Sequence, residues 1–543
     1  MTCQSTQPQG NQKAAVESSA DHLLLVAPPG CGKTEVLAMR AEHLVRINAI
    51  RPNRRLLAIT YSKRARDNMA QRIQNRLGYQ ISRRFVTVQN FHGLAGRIVH
   101  AHGATLGVPT DVVFPTKRWL GETMSKFTNS RPAKGNAEKL LRTLKSEPLS
   151  DEELRAAVEE SGDEVAIGVE RERREQNRLD YADLLRQAQR LLHVPGIAQL
   201  YQEHFDALVV DEFQDLSLQQ LDIVTRVCVR NATYVGDPLQ GIYSWAGAEP
   251  EAVQAEIEAR SPERIDLDIS YRSSPEVLAM VNEIAVPLGA VALSAADPDA
   301  WADTGRNRAH AFATDVAEAA GIGRIVEKLH SDHPTESIGI ISRSGWRRKQ
   351  VDRLLAASEI PLQFWDMALD APGILGLLRI AARGIRKDRP IADQLAALHS
   401  HAIDAVGDGD VDTINEIDDA MVILSERAEE GESVRDILTR FREVDVSESV
   451  PAGVHLLNAH IGKGQQFDWV IVIGLEEGHV PDFRSQTDPE EQRVLMVMLS
   501  RAKRGLIVTR ADRTTTKFGM KAQTASPWWP ALESIAQNKR QPK

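Results

Sequence analysis

The stretch Leu23-Leu-Leu-Val-Ala-Pro-Pro-Gly-Cys-Gly-Lys-Thr34 joins an apolar run to a glycine-rich turn. Leu23 to Ala27 reads as a buried strand, because a short apolar run bounded by turn residues leaves no face for water. An amphipathic stretch follows the turn and reads as a helix. Strand, loop and helix in that order are what a phosphate-binding loop requires: its N–H groups wrap the phosphates and the helix N-terminus adds its dipole. Ala27, Pro28, Pro29, Gly30, Cys31, Gly32, Lys33 and Thr34 would form the cradle. Lys33 would reach the β and γ phosphates of ATP, and Thr34 would hold Mg²⁺. Ala27 stands where the pattern usually has glycine. The competing reading is a glycine-rich turn with no ligand.

Further apolar runs lie at Leu56–Thr60, Leu208–Val210, Ile338–Ile341, Val470–Ile473 and Leu506–Val508. They read as strands and alternate with amphipathic helical stretches, so the fold class is α/β with parallel sheets. An early and a late group of strands predict two domains. Residues 96–178 and 383–450 break the alternation and are helical in period, which marks two insertions. In the second, Asp404 to Glu448 carry fifteen acidic residues against four arginines. That segment is a poor phosphate binder; it is a solvated insert or a partner-facing surface. Asp408, Asp410 and Asp412 have calcium-loop spacing, but Thr413 occupies the position that needs glycine.

Asp211-Glu-Phe-Gln-Asp215 follows the run Ala207–Val210. A carboxylate at the end of a buried strand beside a phosphate loop suits Mg²⁺, which is the role expected of Asp211; a helix N-cap is the alternative. Glu212, one residue on, is placed to accept a proton from the attacking water.

The whole chain has 543 residues and a net charge of −9, with 42% hydrophobic and 26% charged residues. Length alone predicts roughly three to four folding units. No apolar run approaches the ~20 residues of a membrane span, and the polar start, Met1 to Gln12, is no secretory signal. Cys3, Cys31 and Cys228 make neither a metal cluster nor a disulfide framework, so a cytoplasmic location is expected. A negative total does not exclude nucleic acid, since a local basic track suffices. Arg51–Arg55, Lys63–Arg66, Arg83 with Arg84, and Arg171–Arg178 are candidates, each also readable as a solvated face.

More motifs follow in order. They are Gln12 in Asn-Gln-Lys-Ala-Ala-Val, Thr60-Tyr-Ser-Lys-Arg-Ala65, Asn90-Phe-His92, Leu179-Asp-Tyr-Ala-Asp183, and Val235-Gly-Asp-Pro-Leu-Gln-Gly-Ile-Tyr-Ser-Trp-Ala-Gly-Ala248. Ser270-Tyr-Arg-Ser273, His460-Ile-Gly-Lys-Gly-Gln-Gln-Phe467, Glu490-Glu-Gln-Arg and Ser500-Arg-Ala502 complete the set. Together with the phosphate loop they resemble the UvrD/Rep/PcrA family of superfamily 1 DNA helicases over nearly the whole chain. The resemblance implies two RecA-like P-loop NTPase domains, each with a helical insertion. The first motor domain would take residues 1–95 and 179–265 around the insertion 96–178. The second would take 266–382 and 451–543 around a reduced acidic insertion, 383–450.

It also implies roles. Gln12 would read adenine, Tyr271 would stack on it, and Gln466 would touch the ribose. Gln240 would sense the γ-phosphate, and Arg272 and Arg501 would act as arginine fingers on the transferring phosphoryl group. Tyr61, Lys63, Phe91, His92, Tyr243, Trp245 and His460 would contact single-stranded DNA; for each aromatic taken alone, packing is the alternative. The expected activity is a Mg²⁺-ATP-driven helicase or translocase moving 3′ to 5′ on single strands and at single-strand/duplex junctions, in DNA repair, recombination or anti-phage defence. The alternative is an ATP- and DNA-gated regulatory subunit of a nuclease complex.

This chain departs from the family pattern in places. Glu35 replaces an arginine expected against adenine, Gln466 a glutamate, and Ser244 and Ala246 arginines beside Trp245. The short second insertion predicts a better translocase than helicase. Phe518 could tip a strand-separating hairpin or simply pack. With about forty residues after Arg501, no nuclease domain is expected to follow; a nuclease or another protein is a candidate partner, and nothing in the sequence identifies one.

Overall fold

The computed structural model describes residues 7–109, 112–113, 117–242, 248–301, 305–365, 368–369, 374–406, 417, 420–421, 424–425, 433–440, 442–443, 450–460, 465–483, 489–516 and 519–537. They form two compact units that part between Leu267 and Asp268, with residues 28–31 and 239–242 grouping with the second. Among the described residues no helix is long and apolar enough to cross a membrane.

The first unit is built on β1 (His22–Val26), β2 (Arg55–Thr60), β3 (Val86–Asn90), β4 (Phe205–Asp211), β5 (Ala232–Gly236) and β6 (Glu263–Asp266). The sheet order is β3-β2-β4-β5-β1-β6, and every neighbouring pair is parallel. Every residue of β4 is buried, as expected of a strand covered on both faces. Leu24, Val26, Leu57, Ile59, Leu208 and Val210, at spacings of two, pack on one face against the helical Leu94, Ile98, Leu184 and Leu191. Burying each such side chain contributes about 1.5–3 kcal/mol. Parallel strands bring the loops after β1, β4 and β5 to one edge, where open α/β sheets hold their ligands.

The first insertion comprises the helices Lys117–Phe127, Arg131–Lys145, Asp151–Glu160 and Glu164–Glu175. They share a core of their own, including Met124, Leu141, Leu154, Val158 and Val169. The expected boundary at residue 96 is corrected: the helix Phe91–His102 runs across it and puts Leu94, Ile98 and Val99 into the core of the sheet. The chain returns where Val113 bridges Arg178, and Leu179 N–H donates to the Val113 carbonyl at 3.0 Å. Beside that return lies a buried ion cluster. Lys145 Nζ stands 2.5 Å from Asp180, 2.8 Å from Asp183 and 3.1 Å from Glu170. Arg173 pairs with Glu170 and Asp183, and Arg186 joins Asp183 to Asp151. Asp180 and Asp183 also form the capping box that opens the helix Tyr181–Leu192.

In the second unit, β7 (Arg306–Phe312), β8 (Ser337–Ser342), β9 (Leu362–Phe364), β10 (Gly453–Asn458), β11 (Phe467–Ile473) and β12 (Ala502–Ala511) are again all parallel, in the order β9-β10-β8-β11-β12-β7. Its insertion includes the helices Ile374–Ala381, Ile391–Val406 and Val434–Arg440 around Leu375, Leu378, Leu398 and Ile437. The expected start at residue 383 is therefore too late, since the helix Ile374–Ala381 supplies part of that separate core. Most of the acidic stretch lies outside the described residues. After β12, Arg513–Thr516 and Gly519–Ala522 pair antiparallel; Phe518 lies outside the described residues.

Candidate active site

The phosphate loop leaves β1 and closes into the helix Lys33–Arg46, with Gly32 at its N-cap. Gly30 has φ 89° and Gly32 φ 77°, a left-handed backbone that glycine adopts without a Cβ clash. A Cβ on residue 32 would lie 3.0 Å from Gln12 Nε2, so Gln12 sits directly against the loop.

Lys33 Nζ is 2.5 Å from Glu212 Oε2. Burial pulls the Lys33 pKa down, but Glu212, Asp211 and Asp237 outweigh it and hold the pKa above the usual lysine value. The ammonium is thus charged and fixed at the carboxyl ends of β4 and β5. Asp211 shows the opposite pressure. Burial, and then the neighbouring Glu212 charge, push its carboxyl up to about 7 against the pull of Lys33. Its Oδ1 is buried with no hydrogen-bond partner. A buried acceptor left unmade is costly, and a bound cation would satisfy it. Thr34, in the first turn of the helix, offers a hydroxyl. Among the described residues no group of three or more His, Cys, Asp or Glu could hold a metal unaided. Asp211 and Thr34 offer a carboxylate and a hydroxyl, oxygen donors of the kind a hard cation takes.

Glu212 has φ 56° and ψ 49°. For a residue with a Cβ that conformation costs roughly 1–3 kcal/mol, and here it turns the carboxylate toward Lys33. Gln214 holds the turn. Its Nε2 donates to Glu212 Oε2 at 2.5 Å, and its Oε1 accepts from Asp237 N–H at 3.0 Å. Gly236 leaves room for it, since a Cβ there would come within 2.2 Å of Gln214 Oε1 and 2.7 Å of the Phe213 ring. Gln214 and Gly236 were not singled out from sequence, although both lie inside quoted motifs.

Glu35 is committed elsewhere: Arg72 pairs with it at 2.9 Å, and Arg76 joins it to Glu42. Burial alone would raise the Glu35 pKa, but Arg76 and Arg72 hold it below the carboxylate range. The departure from the family's arginine is thus part of an ion-paired cluster between two helices.

In the second unit, Tyr271 is 48% exposed. Burial brings the Arg272 guanidinium down to about 10, still charged at neutral pH. Gln240 and Arg501 are buried and Gln466 is partly so. Arg501 follows the helix Pro489–Leu499, and its Nη1 donates to the Gln465 carbonyl at 3.5 Å.

The expected DNA contacts divide. Tyr61, just past β2, is 47% exposed. Lys63 opens the helix Lys63–Leu77, which Ser62 caps. Phe91 is corrected: it is 2% exposed and packs in the core of the sheet, so its ring is not offered to a strand. His92 lies edge-on to Tyr181 with ring centres 5.2 Å apart. His460 pairs with an arginine. Its Nε2 is 2.6 Å from Arg343 Nη1, and Arg343 pairs with Glu491 at 2.7 Å. Burial and then the Arg343 charge push His460 down to about 4, so it carries no charge for a phosphate at neutral pH. Tyr243 and Trp245 lie outside the described residues.

Residues 9–259 match the family model described as UvrD/REP helicase N-terminal domain, and residues 385–513 match UvrD-like helicase C-terminal domain. The chain belongs to the UvrD-like helicase family. Among UvrD-like relatives, the ATP-dependent DNA helicase PcrA of Staphylococcus aureus is 25% identical, over 92% of this chain and 82% of its own length. The PcrA of Leuconostoc citreum is 29% identical over 50% of this chain and 38% of its own. DNA helicase II of Escherichia coli is 28% identical over 50% of this chain and 39% of its own. The first UvrD-type model spans β1 to β5 and thus every carboxylate around Lys33.

Proposed function

We propose that this ATP-dependent DNA helicase uses Mg²⁺-ATP hydrolysis to move 3′ to 5′ along single-stranded DNA and to open duplex at junctions. One observation carries the reading: Lys33, Asp211, Glu212 and Asp237 meet at the carboxyl ends of neighbouring parallel strands, with a buried Asp211 oxygen left unsatisfied. Asp211 and Thr34 would hold Mg²⁺, which when bound neutralises charge on the phosphate oxygens. Glu212 holds Lys33 in reserve. A triphosphate that takes the ammonium frees the carboxylate, which then accepts the proton of the attacking water. Arg272 and Arg501 are the proposed cations for the transferring group, and Tyr271 and Gln12 the proposed adenine contacts.

The test is ATP turnover by the purified chain with and without oligo-dT at low salt. Strong stimulation is expected; turnover indifferent to DNA would favour a regulatory subunit instead. Glu212→Gln should keep ATP and DNA binding while hydrolysis falls by about 100-fold or more. Wild-type turnover in that variant would remove Glu212 from the role of base.

A further inference from the structure

The basic runs of the sequence part company in the first unit. Lys63–Arg66 begins the helix that leaves the carboxyl end of β2. Arg51–Arg55 and Arg83 with Arg84 lie at the other end. Arg55 is the first residue of β2, and Arg84 stands two residues before Val86, the first of β3. β2 and β3 are parallel neighbours with Leu56 opposite Val86, so both segments meet at the amino edge of the sheet. A strand's length, roughly 17 Å, separates that edge from the carboxyl edge around Lys33.

Direct contacts join the two segments. Arg55 Nη2 donates to the carbonyls of Arg83 and Val86, both at 2.6 Å, and its Nε donates to Thr87 Oγ1 at 2.6 Å. Asp206, buried near the start of β4, accepts the Arg51 N–H at 2.9 Å and pairs with its guanidinium, with Arg54 3.8 Å away. Residues 47–55 and 79–86 hold five arginines, no lysine and no acid. Arg83 Nη1 donates to the Tyr79 hydroxyl at 3.3 Å, and Arg84 lies over the Phe85 ring at 5.0 Å. Both arginines are exposed, and among the described residues no carboxylate pairs with either. Burial, then the Arg55 and Arg54 charges, lower the pKa of His204 just before β4, so the positive field extends along the edge.

Apolar side chains stand on the same segments: Ile47, Tyr79 and Ile81 are 56%, 59% and 45% exposed. This mixture decides the class of ligand. A phosphate track takes lysine as readily as arginine and gains nothing from open aliphatic side chains. A protein interface favours arginine and tyrosine, disfavours lysine and covers apolar surface. The ligand is also anionic, because Arg83 and Arg84 offer planar forks that match carboxylates two bonds at a time.

We propose that the amino edge of the first sheet, centred on Tyr79, Arg83 and Arg84, docks an acidic peptide segment of a partner protein. Its carboxylates pair with the arginines, and its apolar side chains cover Tyr79 and Ile81. The surface lies outside the motor reading and does not depend on it. A partner held there leaves the carboxyl edge of this sheet open.

The test is fluorescence anisotropy on the full chain at low salt, with a labelled peptide of repeating Glu-Glu-Leu as the probe and plain polyglutamate beside it. The wild type should bind the Glu-Glu-Leu peptide more tightly than polyglutamate. Arg83→Glu with Arg84→Glu should weaken the peptide by about tenfold or more. ATP turnover and oligo-dT affinity should stay at the wild-type level in that variant, which also shows that it folds. Tyr79→Ala should weaken the Glu-Glu-Leu peptide by about tenfold and leave polyglutamate unchanged. Arg171→Glu with Arg174→Glu, in another exposed basic run, should change neither peptide. A wild type that does not bind the Glu-Glu-Leu peptide overturns the proposal, as does equal affinity in the Arg83 and Arg84 charge reversal. Equal weakening by the Arg171 and Arg174 reversal overturns it too, because the attraction is then general. Loss of oligo-dT affinity in the Arg83 and Arg84 reversal makes the edge a nucleic-acid surface and overturns the protein partner. None of these outcomes bears on the motor, which the turnover assay tests separately.

Discussion

At the scale of single residues, Asp211 sets a pH dependence whose sign can be worked out. Its folded pKa lies at about 7, above that of an unfolded aspartate. Without ligand, the folded chain therefore keeps a proton the unfolded chain has lost, and this contribution to stability fades as pH rises toward 7. A cation needs the ionised carboxylate, so its binding improves over the same range. Mg²⁺-ATP affinity should weaken by up to about tenfold per pH unit below pH 7. Calorimetric titration at pH 6 and pH 8 measures this directly, and Asp211→Asn should remove the slope. Equal wild-type affinities at the two pH values would show that Asp211 is not a cation ligand. Gly236→Ala makes a second prediction. The added methyl collides with Gln214, so hydrolysis should fall while the cost in stability stays near 1–3 kcal/mol. Turnover equal to wild type in that variant would mean the Gln214 brace is dispensable.

At the scale of elements, the buried ions beside the first insertion decide how firmly it is rooted. Lys145 has three carboxylates and no exposure, so Lys145→Ala leaves buried negative charge uncompensated. A loss of about 3–5 kcal/mol in urea unfolding is expected. A loss under 1 kcal/mol would mean water reaches the cluster. The strands β1, β2, β4, β8, β11 and β12 and the glycine-rich turn were legible in sequence because their signals are local: an apolar run, then glycines, lysine and threonine; β3, β5, β6, β7, β9 and β10 were not singled out. The insertion borders were not. Helical periodicity is the same whether a helix lies on the sheet, as Phe91–His102 does, or in a separate core, as Ile374–Ala381 does. Motif order singled out Phe91 and His460 but could not say which way the rings turn. Gln214 and Gly236 escaped notice because their contact joins two strand ends more than twenty residues apart. The Arg343 partner of His460 is more distant still.

At the scale of the whole molecule, two sheets with separate cores predict unfolding in more than one step. Scanning calorimetry should give a total heat above that inferred from a single two-state transition; agreement between the two would show the units melting together. Direction of travel is also a property of the entire chain. On single strands bearing streptavidin at one end, ATP should speed its release from the 5′ end and leave the 3′ end nearly untouched. The reverse preference would correct the polarity, and release from neither end would correct the motor.

The left-handed turn at Glu212 has an evolutionary side. Glycine at this position would relax the backbone at once, while the carboxylate proposed as the base would be gone. Selection of this chain for heat resistance alone would therefore enrich dead enzymes here. A variant carrying glycine at 212 is expected to act as a trap that locks nucleotide without spending it, at the loss of the Lys33 pair.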